Sequence, residues 1–325
     1  MQQSKRRRTT RSIRCGIARS RPAVDRRRSW AWVAALALCA AAATNAQETK
    51  PSEVSGSASI SGIDELRTNL DGGGNMSWSG VLAQGELTRK FTPEFSAGFV
   101  LRYGYESWHF STPSALGAAA PWGNINRPAI GLKFAYQAAP DVSVFAAPEI
   151  EWDYEQGASA SMGQNYGAVV GAMKFFSPTL VLGLGAGAFR QINHTMVFPF
   201  LVVNWQIDDK WRLSNPFQAG PAGGAGLELV YALAPDWELA AGATYRQYRF
   251  RLSSDGPTPD GIGRNQGVPV FARLTRRLAP QGRLDFYAGA VAGGQLRVLD
   301  SSGATLESSR YKLAPLLGIT AALNF

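Results

Sequence analysis

Hydrophobic and polar positions alternate along most of the chain, and the last fifteen residues show this pattern most clearly. From Tyr311 to Phe325 the odd positions are apolar or aromatic, whereas the even positions include Lys312 and Asn324. Such alternation predicts a β-strand with two different faces. A long strand with one apolar face would promote aggregation in water. A closed barrel in lipid avoids this problem, because the apolar face meets acyl chains and both strand edges are paired.

The same period of two recurs in earlier segments of the chain. Apolar side chains occupy the even positions between residues 142 and 155 and the odd positions between residues 237 and 246. Periodicity alone does not separate a membrane barrel from a soluble sandwich, since each buries one face of every strand. Strand length favours the barrel. Many runs reach about ten residues, enough to cross a bilayer at a tilt, whereas strands of soluble proteins typically have about five or six.

Two kinds of connection join these runs. The short ones are rich in proline and aspartate, which favour tight hairpin turns. They comprise residues 91–94, 138–141, 176–179, 207–210, 233–236 and 278–281. The longer connections are polar or glycine-rich and comprise residues 67–75, 107–127, 156–164, 216–224, 252–266 and 299–308. We expect short and long connections to alternate strictly, with short turns at the periplasmic end of a barrel and longer loops at its extracellular end.

The turns also predict the number of strands. With both chain termini at the turn end, the six short connections imply an all-β fold, a single transmembrane antiparallel up-and-down barrel of about fourteen strands. The first strand is expected near residues 55–65 and the last ends at Phe325. The segment 211–216 is short and ends in Asn215-Pro216. A barrel of about twelve strands is the alternative if this segment and the first strand are not part of the barrel wall.

The positive charge of the chain is concentrated at its N-terminus. Residues 1–46 contain 11 of the 33 lysines and arginines but only one of the 24 acidic residues, which leaves 22 basic and 23 acidic residues from Gln47 onward. The high pI therefore gives no reason to expect nucleic-acid binding. Both cysteines, Cys15 and Cys39, also lie in residues 1–46, so the rest of the chain forms no disulfide.

Residues 1–46 have the organisation of a secretory signal peptide. A basic stretch up to Arg28 precedes the uncharged, apolar stretch from Trp30 to Ala43, and Ala46 provides a small residue before the expected cleavage site. The apolar stretch is too short to span a bilayer as a helix. We expect residues 1–46 to be removed after export and residues 47–325 to form the outer-membrane barrel domain.

Charged residues on the polar faces of the strands would line the inside of such a barrel. Acidic residues concentrate on the strand near residue 150, whereas arginines concentrate on the strands from residue 246 to residue 297. The candidate pore-lining residues are Arg102, Glu106, Glu149, Glu151, Asp153, Arg246, Arg273, Arg277 and Arg297. If the two groups face each other across a water-filled lumen, they create a transverse field that favours polar or charged solutes. Alternatively, these side chains pair with one another and fill the interior.

Other chemistry has less support in the sequence. The acidic residues between 149 and 155 could supply oxygen ligands to a hard cation, but pairing with arginines is favoured, so we expect no metal site. The two histidines, His109 and His194, stand in no recognisable motif with a nucleophile and an acidic partner. We therefore expect neither a catalytic site nor a cofactor. Gly183, Gly185 and Gly187 share one strand face, which indicates room for a bulky neighbour or for close approach of the backbone inside the barrel.

The end of the chain resembles a known signal. Phe325, with apolar residues such as Leu323 and Tyr311 at alternate positions before it, resembles the C-terminal assembly signal of Gram-negative outer-membrane barrels. Trp211 and Trp237 beside the tight turns fit the aromatic girdle of such proteins. Nearly all of residues 47–325 resembles outer-membrane barrel families described only as domains of unknown function. The resemblance implies location in the cell outer membrane, and it implies the barrel-assembly machinery, membrane lipids and lipopolysaccharide as partners.

Two functions are compatible with this architecture. The first hypothesis is a passive porin-like channel for small polar solutes, in which the arginines and acidic residues of the lumen act as selectivity groups. The second is a non-conducting structural or ligand-binding barrel with a filled lumen, whose loops, chiefly residues 107–127, meet ligands or other cells. An enzymatic barrel is not favoured, because no catalytic motif is recognisable.

Overall fold

The computed structural model describes residues 54–117, 119–216, 225–278 and 281–325. The predicted signal peptide, residues 1–46, lies outside these residues. The strands are β1 (Val54–Asn69), β2 (Asn75–Lys90), β3 (Phe95–Ser111), β4 (Asn124–Ala139), β5 (Val142–Trp152), β6 (Tyr154–Glu155), β7 (Gln164–Ser177), β8 (Leu180–Gln191), β9 (His194–Gln206), β10 (Trp211–Ser214), β11 (Ala225–Ala234), β12 (Trp237–Arg251), β13 (Ile262–Arg277), β14 (Gly282–Leu299), β15 (Thr305–Tyr311) and β16 (Ala314–Asn324). In the part of the chain that is described, no helix has the length and apolarity needed to cross a membrane.

Fourteen of the strands in these ranges form one closed antiparallel ring, and β6 and β15 are short additions to it. The first and last strands of the ring close it, with Ser57 opposite Asn324 and Glu65 opposite Leu316. Strand β10 has only four residues, yet it pairs with both β9 and β11. The predicted fourteen-strand barrel is therefore confirmed, and the twelve-strand alternative is wrong.

The two ends of the barrel differ. The short connections lie together with Val54 and Phe325 at one end, called the turn end below, and the longer connections lie at the loop end. The expected strict alternation fails at one place, because Ile192 and Asn193 alone join β8 to β9 at the loop end. Asn193 has a φ of 60°, a left-handed conformation that asparagine tolerates better than most residues. Most of the predicted loop 216–224 lies outside the described residues.

The outer surface of the barrel is apolar. Large aliphatic side chains point away from the lumen and are strongly exposed, for example Val197 (70%) and Leu184 (67%). Contact of such a surface with the acyl chains of a bilayer is favourable, whereas its exposure to water is not. Near the turn end, Phe91, Tyr136 and Trp211 are also exposed, as an interfacial aromatic girdle requires. The alternation seen in the sequence thus corresponds to a lipid-facing side and a lumen-facing side of each strand.

The row of glycines on β8 accommodates bulky residues of the next strand. A Cβ atom on Gly185 would overlap the ring of Phe200, and one on Gly187 would lie against the ring of Phe198. Strand β9 pairs with β8 so that these residues stand directly opposite each other. The prediction that the glycines make room for a bulky neighbour is confirmed. Because the glycines face the lumen, the phenylalanine rings lie flat along the inner wall.

A smaller ring of strands closes the barrel at its loop end. After β5, the chain turns inward as β6, which pairs with β4 and places Tyr154 in parallel pairing with Arg251 of β12. On the other side, β15 pairs with β14 and bridges to the end of β1 through Leu70 and Tyr311. Strands β12, β13, β14, β15, β1, β2, β3, β4 and β6 therefore enclose a narrower space than the full barrel.

This narrower space is filled by a hydrophobic core. We call it the loop-end core, and its buried members are Ile63, Leu70, Met76, Trp78, Trp108, Leu116, Trp122, Ile125, Tyr248, Phe250, Leu252, Val291, Leu296, Val298, Tyr311, Ala314 and Leu316. Two of them, Leu116 and Trp122, come from the connection between β3 and β4, so this loop folds into the barrel. Trp122 packs edge-on against Trp108 at 5.6 Å and against Phe250 at 5.1 Å between ring centroids. At the loop end, the interior is therefore filled by packed apolar side chains.

A β-bulge on β14 reverses the orientation of its last residues. The register between β13 and β14 shifts between Gln266 and Val268, and Gly293 adopts a φ of 61°. One extra residue moves every following side chain to the other face of the sheet. Leu296 and Val298 consequently point into the loop-end core. The sequence prediction that Arg297 faces the lumen is wrong, because the bulge directs it to the opposite face.

The C-terminal strand is shorter than the sequence pattern suggests. Strand β15 ends at Tyr311 and β16 begins at Ala314, so Tyr311 is buried in the loop-end core instead of sharing the outer face with Leu323 and Phe325. Phe325 is 59% exposed, and its backbone is hydrogen-bonded to Gly56 of the first strand at 2.7 and 2.9 Å. The assembly role of these residues stays a prediction.

Candidate functional site

A cavity of about 740 Å³ occupies the lumen beside the loop-end core. Its lining comes from β1 to β5, β7 to β9, β11 and β12, and Trp78 and Tyr248 of the loop-end core form part of its surface. The charged wall carries side chains from β3, β4, β5 and β12, and the aromatic wall carries side chains from β5, β8 and β9. The cavity is the candidate functional site because it is concave and combines apolar surface with a few convergent polar groups.

Ion pairs between nearby strands form the charged wall. Arg102 donates to Glu149 at 2.6 Å and lies 3.7 Å from Glu151. Arg127 donates to Asp153 at 2.8 Å and to Glu151 at 3.1 Å. Glu149 and Glu151 of β5 are thus neutralised by an arginine on β4, the adjacent strand, and by one on β3, two strands away. A metal ion is not required to satisfy them.

Arg127 and Glu106 connect opposite walls of the barrel. Strands β4 and β12 face each other in the ring, with six strands between them on either side, yet the guanidinium of Arg127 lies 4.1 Å from the ring centroid of Tyr248 on β12. The hydroxyl of Tyr248 donates to Glu106 at 2.7 Å, and the indole N–H of Trp108 donates to the same carboxylate at 2.9 Å. Because β12 bends inward here, the lumen is constricted at the level of these residues.

A second buried ion pair lies on the other side of this constriction. Arg246 donates to Glu65 at 2.7 Å, and the side chain of Glu65 is fully buried. The indole N–H of Trp78 also donates to Glu65 at 2.8 Å, and Arg246 lies over the Trp78 ring at 5.2 Å. Glu65 on β1 and Trp78 on β2 therefore hold Arg246 of β12 at the edge of the cavity.

Four phenylalanines line the aromatic wall. Phe198 lies 6.2 Å from Phe189 and 6.3 Å from Phe200, and Phe145 lies 6.2 Å from Phe200, all between ring centroids. All four side chains line the cavity. The rings sit over small residues of neighbouring strands, so they form a nearly continuous apolar surface. Such a surface binds the apolar part of a solute, and it attracts cationic groups weakly.

A third group of ion pairs lies apart from this cavity. Arg273 on β13 donates to Glu228 at 2.6 Å and to Asp285 at 3.3 Å, and it is only 2% exposed. Arg277 pairs with Glu238 near the turn end. These pairs join strands in the β11 to β14 part of the barrel, and Arg273 reaches across β12 to Glu228.

The structure brings together only some of the predicted pore-lining residues. Those that line the cavity are Arg102, Glu106, Glu149, Glu151 and Arg246, and those that do not are Asp153, Arg273, Arg277 and Arg297. The expected opposition of arginines and acidic residues across the pore is not found, since the charges on β3, β4 and β5 pair with one another and Arg246 pairs with Glu65 on β1. Local pairing leaves no strong transverse field. It supports the alternative in which charged side chains neutralise one another.

Several residues of the site were missed by the sequence analysis. Arg127 falls at the end of a predicted loop, although it begins the regular part of β4 and is the partner of three carboxylates. Tyr248 and Glu65 gave no signal because their partners lie on distant strands. The alternation of side chains along β9 could have identified Phe198 and Phe200 as lumen-facing, since they alternate with the outward-facing Val197 and Leu201.

Of the residues considered for other chemistry, Glu149 and Glu151 line this cavity, whereas His109, His194 and Glu155 do not. His109 is on β3 opposite Ser77, and His194 begins β9 opposite Gln191. Glu155, the last member of the acidic row, accepts hydrogen bonds from the backbone N–H groups of Gly123 and Ser253. It therefore fastens the inner strand β6 to two loops. In the part of the chain that is described, no group of three or more potential ligands has the geometry of a metal site.

The strands and their pairing define a closed antiparallel β-barrel with an apolar outer surface. Residues 164–258 match a family model described as a domain of unknown function (DUF6268). No curated protein sequence matches the chain.

Among solved structures, similar barrels include outer-membrane channels. The COG4313 outer-membrane channel from Pseudomonas putida F1 is 9% identical, with 87% of this chain and 98% of that chain covered and a TM-score of 0.45. The Pseudomonas putida toluene transporter TodX is 10% identical, with 85% and 89% covered and a TM-score of 0.35. The KdgM porin is 12% identical, with 81% and 97% covered and a TM-score of 0.32. These likenesses concern architecture, so the function is inferred below from the lumen itself.

Proposed function

We propose that the chain is a passive outer-membrane channel for small solutes, and that the lumen cavity is its solute compartment. The observation that carries this proposal is the cavity of about 740 Å³ with an ion-paired wall and an aromatic wall. A barrel whose only role is structural has no need of such a cavity. In the proposed orientation the loop end faces the cell exterior and the turn end faces the periplasm, as in other outer-membrane barrels.

The lining supports a solute class narrower than small polar solutes. The pairs Arg102–Glu149 and Arg127–Glu151 present donors and acceptors of both signs with little excess charge. Phe198 and Phe200 offer an apolar surface on the other side. A solute that carries both charge signs and an apolar group would contact both walls at once. We therefore propose small amphipathic solutes, with aromatic zwitterions as the best-matched class.

The loop-end core supports a channel that is closed at rest. Trp122 and Leu116 are only 3% exposed and fill the straight path above the cavity. Passage of a solute requires this part of the loop between β3 and β4 to move. The same core favours the second candidate function, a non-conducting barrel with a filled lumen.

Solute uptake into proteoliposomes tests the proposal. The refolded barrel should admit phenylalanine faster than serine, because only phenylalanine can contact the aromatic wall. The variant Phe198→Ala should lose this preference. The matched control Phe176→Ala removes a phenylalanine that is 58% exposed near the turn end, and it should leave uptake unchanged. Uptake of neither amino acid above protein-free liposomes would contradict the channel and favour the filled barrel.

The cellular location is part of the proposal. It is supported by the exposed apolar outer surface and by the predicted signal peptide in residues 1–46. Cell fractionation tests it, since the full-length protein should be found in the outer membrane at its mature size. Replacement of Phe325, as in Phe325→Ala, should lower the amount of assembled barrel if the C-terminus is read by the assembly machinery.

A further inference from the structure

Three arginines form a row on the face of the sheet opposite to the loop-end core. Arg249 on β12 stands directly opposite Arg264 on β13, and Arg264 stands directly opposite Arg297 on β14. Like charges at directly facing positions of neighbouring strands destabilise a sheet. The row therefore needs a compensating interaction.

Within the described residues, no acidic side chain provides this compensation. The ion pairs found among those residues involve arginines such as Arg102, Arg246 and Arg273 but none of the three in the row. The buried Nε atoms of Arg249, Arg264 and Arg297 have no hydrogen-bond partner among the residues described. Arg249 is only 7% exposed, so a cation is held largely out of water without a countercharge. Such burial is costly unless an anion binds.

Neutral amides surround two of the arginines. Arg264 donates to the side-chain oxygen of Gln247 at 2.7 Å, and Arg297 donates to that of Gln295 at 3.0 Å. These bonds fix the orientation of the guanidinium groups but do not neutralise them. Each arginine keeps further N–H donors for a ligand, since a guanidinium carries five.

The turn between β8 and β9 packs beside the row, and the space between them is called the recess below. Ile192 packs on Ile262 and Leu299. Ile262 lies two residues from Arg264 on the same face of β13, and Leu299 lies two residues from Arg297 on the same face of β14. Asn193 donates to the backbone oxygen of Ser301 at 2.8 Å. The recess is therefore bounded by a hairpin on one side and by the outer face of β12, β13 and β14 on the other.

We propose that Arg249, Arg264 and Arg297 bind an anion of the phosphate class. Guanidinium groups match the oxygens of a phosphate through pairs of parallel hydrogen bonds, and they do so better than lysine. A doubly charged group would relieve the mutual repulsion of three cations at once. At the loop end the phosphate could be carried by the glycolipid of the outer leaflet or by a soluble compound. None of the three arginines lines the solute compartment, although Gln247, which accepts a hydrogen bond from Arg264, does.

Binding measurements on the refolded full-length barrel in phosphate-free detergent test this proposal. The probes are inorganic phosphate, phosphorylated lipid A and dephosphorylated lipid A. Each charge-assisted hydrogen bond contributes about 1.5–3 kcal/mol, so Arg264→Gln should weaken binding about tenfold to a hundredfold. Arg276→Gln near the turn end removes the same charge outside the recess and is the matched control, which should bind as the wild type does.

The outcomes separate the two sources. Binding of inorganic phosphate that is lost in Arg264→Gln supports the site and indicates a soluble ligand. Binding of phosphorylated lipid A alone, lost in Arg264→Gln and absent for the dephosphorylated lipid, supports the site and indicates a membrane ligand. In the absence of any anion, Arg264→Gln should unfold at a higher temperature than the wild type, because repulsion is relieved. Absence of binding by every probe, or equal binding by wild type and Arg264→Gln, would overturn the proposal.

Discussion

Replacement of Trp122 by alanine should destabilise the barrel without removing any of its strands. Truncation of a buried tryptophan to alanine costs about 3–5 kcal/mol. Trp122 makes edge-on contacts with Trp108, Phe110 and Phe250 at 5.1 to 5.6 Å between ring centroids, which is the favourable geometry for aromatic pairs. Its indole N–H is buried without a partner among the described residues, a loss of about 1 kcal/mol that the mutation relieves. We therefore expect Trp122→Ala to lower the free energy of unfolding by about 2–4 kcal/mol.

Urea unfolding of the refolded protein, followed by fluorescence, measures this cost. The control Trp122→Phe keeps an aromatic ring and removes the unpartnered N–H, so its free energy of unfolding should stay within about 1 kcal/mol of the wild type. A second control, Trp205→Ala, truncates a tryptophan that is 42% exposed near the turn end and should cost less. If Trp122→Ala costs under about 1 kcal/mol, the loop between β3 and β4 does not form part of the loop-end core.

Three further substitutions test other parts of the structure by the same unfolding measurement. Glu65→Ala should cost about 3–5 kcal/mol, because it leaves Arg246 buried without its carboxylate; an effect near zero would show that this pair is solvated. Gly185→Ala should cost about 1–3 kcal/mol, because its Cβ overlaps a phenylalanine ring, whereas Gly85→Ala, with open space around it, should be neutral; equal effects would contradict the packing of the aromatic wall. Gly293→Ala should cost about 1–2 kcal/mol, because it places a side chain at a φ of 61°; no loss would mean that the bulge is absent.

The barrel could be predicted from the sequence because its main determinants are local. Alternation within each strand depends only on whether a side chain meets lipid or lumen, and the short turns reveal where strands reverse. The segment ending in Asn215-Pro216 illustrates the limit of this reasoning, since only pairing shows that β10 belongs to the ring. The side chain of Asn215 donates hydrogen bonds to backbone oxygens of β9 and β11 at 3.0 Å. It therefore continues the pairing of the short strand beyond its last residue.

The interior could not be predicted because it depends on contacts between distant segments. The bulge at Gly293 adds one residue and thereby reverses the orientation of Arg297, which parity had assigned to the lumen. The inward turn at β6 brings Arg127 and Tyr248 together from opposite walls. A pattern of period two carries no information on either event, because the bulge interrupts the alternation at one residue and the inward turn depends on which distant strands meet.

Single-channel recording in planar bilayers tests the central claim, that the barrel is a channel closed at rest by its loop-end core. The wild type should show small and infrequent openings, whereas Trp122→Ala should open for longer and conduct more, because the path above the cavity is no longer filled. Addition of phenylalanine should reduce the current of the variant, and serine should not. A wild type and a Trp122→Ala variant that are both folded and both silent would contradict the claim and identify the protein as a filled, non-conducting barrel.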